Sequence, residues 1–288
     1  MMTNHELRVR SRKIIRPNMQ VLLVIALIAS LPGLLANVLT VLSGNDLLTM
    51  YQQSLDASMT VEQLTAMVED YLYSSAWLSL CLSTVQAVLA PVLTLGLINA
   101  FLTLLRGGTV GVGMVFSRMR AFGRSILLTL LLSLKLFLWA LPGMGIMIVG
   151  AFLGEAGILV TAAIGSVVML VMVIMAAYRY AMSSYFLADV PTTGPRACIR
   201  QSKEVMRNRK MLLFSLELPY FVASYAIYTL ISLIIPGVIG TTLSLMAQLI
   251  FTVYIEGARC AFFEHYTHPG NAMAKDDSDQ DEMKDSLN

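Results

Sequence analysis

Five charged side chains stand inside apolar runs of this chain: Lys135, Arg179, Glu217, Glu256 and Arg259. Two carboxylates among three cations can do two kinds of work. They can pair into a structural network that fixes helix register, or they can line a path for an ion or solute. A charge at the centre of a bilayer costs about 2.5–3.5 kcal/mol even on the lenient insertion scales, so each of the five must face a partner or water. Counted from the basic ends of their runs at about 1.5 Å per residue, Lys135, Arg179, Glu217 and Glu256 all fall roughly 9–15 Å deep, a common depth that permits mutual pairing.

A second constellation is RACIRQSKEVMRNRK at 196–210, which holds six of the chain's 20 Lys and Arg residues. Wound as a helix, it places Cys198, Ile199, Ser202, Val205 and Met206 within one arc and Arg196, Arg200, Lys203, Arg207 and Lys210 on the opposite side. Pro195 suits a first helical position, and Arg209, the one cation on the apolar side, has a stem long enough to snorkel. Such a helix is expected to rest its apolar face at the acyl boundary of a bilayer while its cations bind anionic phospholipid headgroups. The plainer alternative is that the cations only enforce topology. Long apolar runs flank the block on both sides, which excludes a nucleic-acid patch on a soluble domain.

Other chemistry is weakly represented. His265 and His268 have the spacing to share a metal on a helix, but no third ligand accompanies them and Pro269 ends the helix. Asp277, Asp279 and Asp281 begin like a calcium loop, yet Glu282 stands where the turn glycine is required. Gly107, Gly108, Gly111 and Gly113 lack both the Lys-Ser/Thr of a P-loop and a preceding strand, and read as a flexible loop. No serine sits in a nucleophile elbow and no histidine lies within an apolar run to serve as its base. No catalytic, metal or cofactor site is expected, and the chain reads as a non-enzyme. Cys81, Cys198 and Cys260 are far apart and in no CxxC pair, which makes them packing residues.

The elements that must position these residues follow from composition. Hydrophobic residues make up 57% of the 288 and charged residues only 13%, against about 25% charged in an average globular domain. A bilayer span needs about 20 mostly apolar residues, and six stretches qualify: 19–42, 76–105, 125–150, 157–187, 211–235 and 238–263. Pro32-Gly33, Pro142-Gly143 and Pro236-Gly237 read as breaks and Pro91 as a kink, the third Pro-Gly pair being the tight turn between the last two spans. Thr60 and Gln63 have capping-box spacing, so a short external helix is expected to lead into the second span. Gly157, Thr161 and Gly165 form one row of small residues and Ser79, Ser83 and Ala87 another. Packing within one chain is the default use of such rows; a homodimer seam is the sharper alternative.

Orientation follows from the loops. Cations cluster in the N-terminal arm (Arg8, Arg10, Arg12, Lys13, Arg16), between Arg106 and Arg124, and in the 196–210 block, whereas the 43–75 loop has none. By the positive-inside rule both termini are cytoplasmic, and six spans return the chain to its starting side. The apolar run from Met19 is too long for a signal peptide, so it reads as a retained first span. Residues 269–288, acidic and without aromatics, are expected to form a disordered cytoplasmic tail.

HELRVRSRKIIRPN near the start, LFLW ahead of a Pro-Gly pair at 136–143, YRYAMSSYFLADVP at 178–191 and RQSKEVMRNRKMLLFSLEL at 200–218 together resemble the DUF975 family of bacterial integral membrane proteins. The sequence departs from that pattern in the long insertion Gly145–Ala177 and in Pro219–Val222. The resemblance implies a bacterial cytoplasmic membrane protein and supplies no activity. The expected architecture is an all-α, six-span bundle over residues 1–268 with amphipathic helices on the inner surface. The expected role is that of a membrane-organising or accessory protein, the alternative being a small-solute or ion transporter that uses the intramembrane charges.

Overall fold

A computed structural model of the chain describes residues 4–42, 61–150, 152, 154–235 and 238–268. The acidic tail and the acidic loop around Asp46 and Asp56 lie outside the described residues. Among the described residues the secondary structure is helical throughout: α1 (Asn4–Ile15), α2 (Met19–Leu42), α3 (Val61–Leu105), α4 (Phe122–Gly150), α5 (Gly154–Tyr180), α6 (Ser183–Asp189), α7 (Pro195–Val205), α8 (Lys210–Ile234) and α9 (Val238–Thr267). Six helical segments are long and apolar enough to cross a membrane, as the apolar runs require.

The boundaries depart from the expected spans in four places. The helix expected before the second span is continuous with it, making α3 45 residues long. Pro32 and Pro142 lie inside α2 and α4, neither of which breaks there; apolar surroundings favour keeping every other backbone hydrogen bond within the helix. The expected fourth span divides at Ala181–Met182, where a turn re-aims the chain and places Tyr185, Leu187 and Ala188 of α6 in the core. The glycine-rich segment after α3 does not hang as a free loop. It folds back as a 3-10 helix, Val112–Phe116, that buries Val115 against α3. A Cβ at Gly96 would lie 1.9 Å from the Val115 carbonyl oxygen, so this close approach needs glycine.

The core sits towards one end of the bundle. Leu22 and Ile25 of α2, Leu95, Ile98 and Phe101 of α3, Leu213 and Leu216 of α8, and Phe262 and Phe263 of α9 are all buried there. The basic segments converge on this same end: α1, the 106–121 connection and α7. By contrast α4 and α5 expose Leu130, Leu134, Phe137, Val160, Val167 and other apolar side chains, the pattern of helices surrounded by lipid. These two pack closely on each other at Gly143 and Gly165, where an added Cβ at either would meet the partner's carbonyl oxygen at 2.7–2.8 Å. Gly150 likewise abuts Thr161. The Thr161–Gly165 row is thus used for packing within the chain.

Candidate functional site at the basic end

Three of the five intramembrane charges meet. Arg259 on α9 donates from Nε to Glu217 Oε1 at 2.7 Å and from Nη2 to Glu217 Oε2 at 3.1 Å, a two-point grip on a carboxylate that is 0% exposed. Its Nη1 reaches Glu256 Oε1 at 3.3 Å, one turn back on the same helix. Two tyrosines complete the cluster: Tyr178 of α5 donates to Glu217 Oε2 at 3.0 Å, and Tyr185 of α6 donates to Glu256 Oε2 at 2.6 Å. Four helices are therefore joined through one guanidinium and two carboxylates.

Lys135 and Arg179 do not join this cluster, a correction to the expected five-member network in which both shared the depth of Glu217 and Glu256. Lys135 forms no ion pair among the described residues. Arg179 turns towards the basic block, where Ser202 of α7 donates to its backbone carbonyl at 3.2 Å. Depth is only one coordinate of a residue in a bundle; azimuth around the helix decides which neighbours it meets, and long Lys and Arg stems carry their charges outwards.

A second charged cluster joins Arg106, read from the sequence only as a topology cation, to two acids that the sequence did not single out. Arg106, just past α3, pairs with Asp189 Oδ1 at 2.7 Å and Glu264 Oε2 at 2.9 Å, tying the ends of α3, α6 and α9. Burial would lower the Arg106 pKa, but hydrogen bonds and Coulombic attraction from Glu264 and Asp189 outweigh it and hold it raised. His268 stands 3.8 Å from both acids, so it belongs to this cluster. Among the described residues no group of three or more His, Cys, Asp and Glu is placed to hold a metal.

Residues 196–205 of the basic block fold as α7, with Gly194 before it and Pro195 in its first turn; the expected helix to Lys210 is cut short, since Arg207 and Arg209 lie in the turn that follows and Lys210 opens α8. Its apolar face does not rest on lipid. Cys198, Ile199, Ser202 and Met206 are buried in the bundle core, a correction to the expected acyl-boundary placement. Amphipathic periodicity calls for an apolar partner and is silent on whether that partner is lipid or protein. Burial pushes the Cys198 thiol pKa up. The polar face stays available: Arg196, Arg200 and Arg207 are exposed and Lys203 and Lys210 partly so. Arg209 instead lies over the Tyr266 ring at 4.5 Å, and Lys203 over Tyr180 at 5.7 Å. After α7 the chain turns at Asn208, whose φ of 62° is a left-handed corner, and enters α8.

Arg179, Arg200, Lys203, Arg207 and Lys210 line one cavity of about 450 Å³, with Glu204 and Asn208 completing its wall. Two further cavities are neutral. One of about 440 Å³ between α3, α4 and α6 presents Ser83, Thr94, Ser125, Thr129 and Ser184; one of about 240 Å³ between α2, α3 and α9 presents Ser30, Gln248 and Thr252. Gln86 borders both neutral cavities, and neither Glu217 nor Lys135 lines any of the three.

Residues 1–268 match a family model described as "Protein of unknown function (DUF975)". No curated protein and no solved structure matches the chain.

Proposed function

We propose, from the premise that the chain belongs to the DUF975 family, that it is a non-enzymatic membrane-organising or accessory protein that holds anionic lipids at the inner surface of the bacterial cytoplasmic membrane. The observation that carries this reading is the docking of α7. Burial of Cys198, Ile199, Ser202 and Met206 holds the helix against the bundle, so Arg196, Arg200, Lys203, Arg207 and Lys210 are displayed on a rigid surface. A cation near an anionic leaflet contributes about 1 kcal/mol. In this reading both termini are cytoplasmic, since the N-terminal arm, the 106–124 segment and α7 hold most of the cations. Transport through the intramembrane charges draws less support, because Glu217 is fully buried and lines none of the three cavities.

The test is reconstitution of the full chain into nanodiscs of zwitterionic lipid alone or with an anionic fraction. The unfolding midpoint is expected to rise with the anionic fraction. The rise should shrink in 1 M salt, where the Debye length falls to about 3 Å. It should also vanish when Arg196, Arg200, Lys203 and Arg207 are changed together to Gln. Equal midpoints in both lipid compositions would overturn the proposal.

A further inference from the structure

Most of the cations on α7 and its flanks point into a cavity and not simply outwards. Arg179 comes from the end of α5, Arg200 and Lys203 from α7, Arg207 from the turn that follows, and Lys210 from the first residue of α8. None of the five forms an ion pair among the described residues. Glu204 is the one acid in the wall, which leaves a formal excess of four positive charges around about 450 Å³. Like charges held this close repel, and here the fold itself holds them. The Ser202 hydroxyl bonds the Arg179 carbonyl, the apolar side of α7 is buried, and the Asn208 corner sets the start of α8. A rigid cationic wall that the described residues do not neutralise is a site for an external anion.

The size and shape of the wall narrow the class of anion. Arg200 and Lys203 stand at helical spacing on α7 and Arg207 in the turn just past its end, a run with an arginine at either end. The cavity, about 450 Å³ and open to solvent, is larger than one tetrahedral phosphate fills. Guanidinium groups at both ends of that run can each take a phosphate in two-point geometry, with lysine ammonium groups between and beside them. We propose that this cavity binds a ligand presenting two phosphate groups at once, whether a diphosphatidyl lipid headgroup or a soluble diphosphate. In its lipid form the assignment rests on the reading that the basic end meets anionic headgroups.

The experiment uses the full chain purified in detergent. Native mass spectrometry measures binding of diphosphatidylglycerol and of phosphatidylglycerol at equal total phosphate, with phosphatidylcholine as the uncharged reference. Calorimetry measures binding of inorganic pyrophosphate and of inorganic phosphate. The two-phosphate ligand is expected to bind at least tenfold more tightly than its one-phosphate counterpart in one of the two pairs. A preference in the lipid pair identifies a headgroup; a preference in the soluble pair alone identifies a free diphosphate. Arg200→Gln with Arg207→Gln should remove the preference, and both side chains are exposed, so the fold should survive. Arg196→Gln, which alters a cation outside the cavity, should weaken all anions alike and leave the ratio intact. Equal binding of one- and two-phosphate ligands overturns the cavity assignment while leaving the anionic-surface reading standing. Binding no stronger than that of phosphatidylcholine by any anionic lipid, with no soluble anion bound, overturns both.

Discussion

Arg259 and Glu217 lie 42 residues apart in sequence and meet through two hydrogen bonds at 2.7 and 3.1 Å, with the carboxylate wholly out of contact with solvent. The pair joins α8 to α9 in the half of the bundle where the core is concentrated. Glu217 also accepts from Tyr178 and Glu256 accepts from Tyr185, so both carboxylates have donors besides the guanidinium. That level of satisfaction is what a structural register lock requires.

Removing two members should therefore cost less than the sum of removing each alone. Glu217→Ala leaves Arg259 short of its main partner and is expected to destabilise the protein by about 3–5 kcal/mol. Adding Arg259→Ala to it should cost less than the sum of the single changes, because Glu256 keeps its bond from Tyr185. Lys135→Ala should leave the unfolding midpoint unchanged or raised. Thermal unfolding of the four variants and the unchanged protein in one detergent checks this, and additive losses for Glu217 and Arg259 would show that the two do not act as a pair.

How far the sequence reveals this arrangement varies from residue to residue. The six spans were legible because a bilayer demands long apolar runs, and α2 begins and ends where the run does. Glu217, Glu256 and Arg259 were legible as costly charges, but Lys135 and Arg179 share their depth and not their direction. Tyr178 and Tyr185 were missed as carboxylate donors. The signal was present in YRYAMSSYFLAD, since a buried carboxylate needs hydroxyl or amide donors and this segment brings tyrosines to the charged depth. Arg106, Asp189 and Glu264 could not be joined from sequence, because their pairing depends on how three helix ends converge. Of the row Gly157, Thr161 and Gly165, the latter two pack against α4 within the chain, the default reading of such a row.

Gly96 should tolerate no side chain. Gly96→Ala puts a methyl group 1.9 Å from the Val115 carbonyl oxygen, so the Val112–Phe116 segment must move off α3, at a cost of about 1–3 kcal/mol or more. Gly123→Ala, near the start of α4, meets nothing within 4 Å and should be neutral or stabilising by up to about 1 kcal/mol. Comparing the two unfolding midpoints separates the close approach from a general effect of adding a methyl group.

Topology is testable with impermeant thiol reagents on intact cells. In a chain otherwise free of cysteine, a single cysteine at Arg200 should be spared until the membrane is permeabilised, whereas one at Asp56 should react from outside. Reaction at position 200 from outside would reverse the orientation and move the proposed lipid surface to the other leaflet.

Cys198 reports directly on whether α7 is docked. With Cys81 and Cys260 changed to Ser it becomes the sole thiol, and it is 0% exposed in the structure. Burial also raises its pKa, so the folded state keeps it protonated. That contribution to stability is present below the ordinary thiol pKa of about 8.5 and is lost as pH rises through the elevated value, so labelling should speed up at alkaline pH. At neutral pH the docked protein should label far more slowly than a free thiol. Ile199→Ser removes a buried side chain and places a hydroxyl in the core, at about 2–4 kcal/mol, and should bring Cys198 into rapid reaction. Arg200→Gln acts on the opposite face and should leave the thiol protected. Rapid labelling of Cys198 in the otherwise unchanged protein would mean that the apolar face of α7 is free, and a helix inserted in lipid would then replace the rigid cationic surface described here.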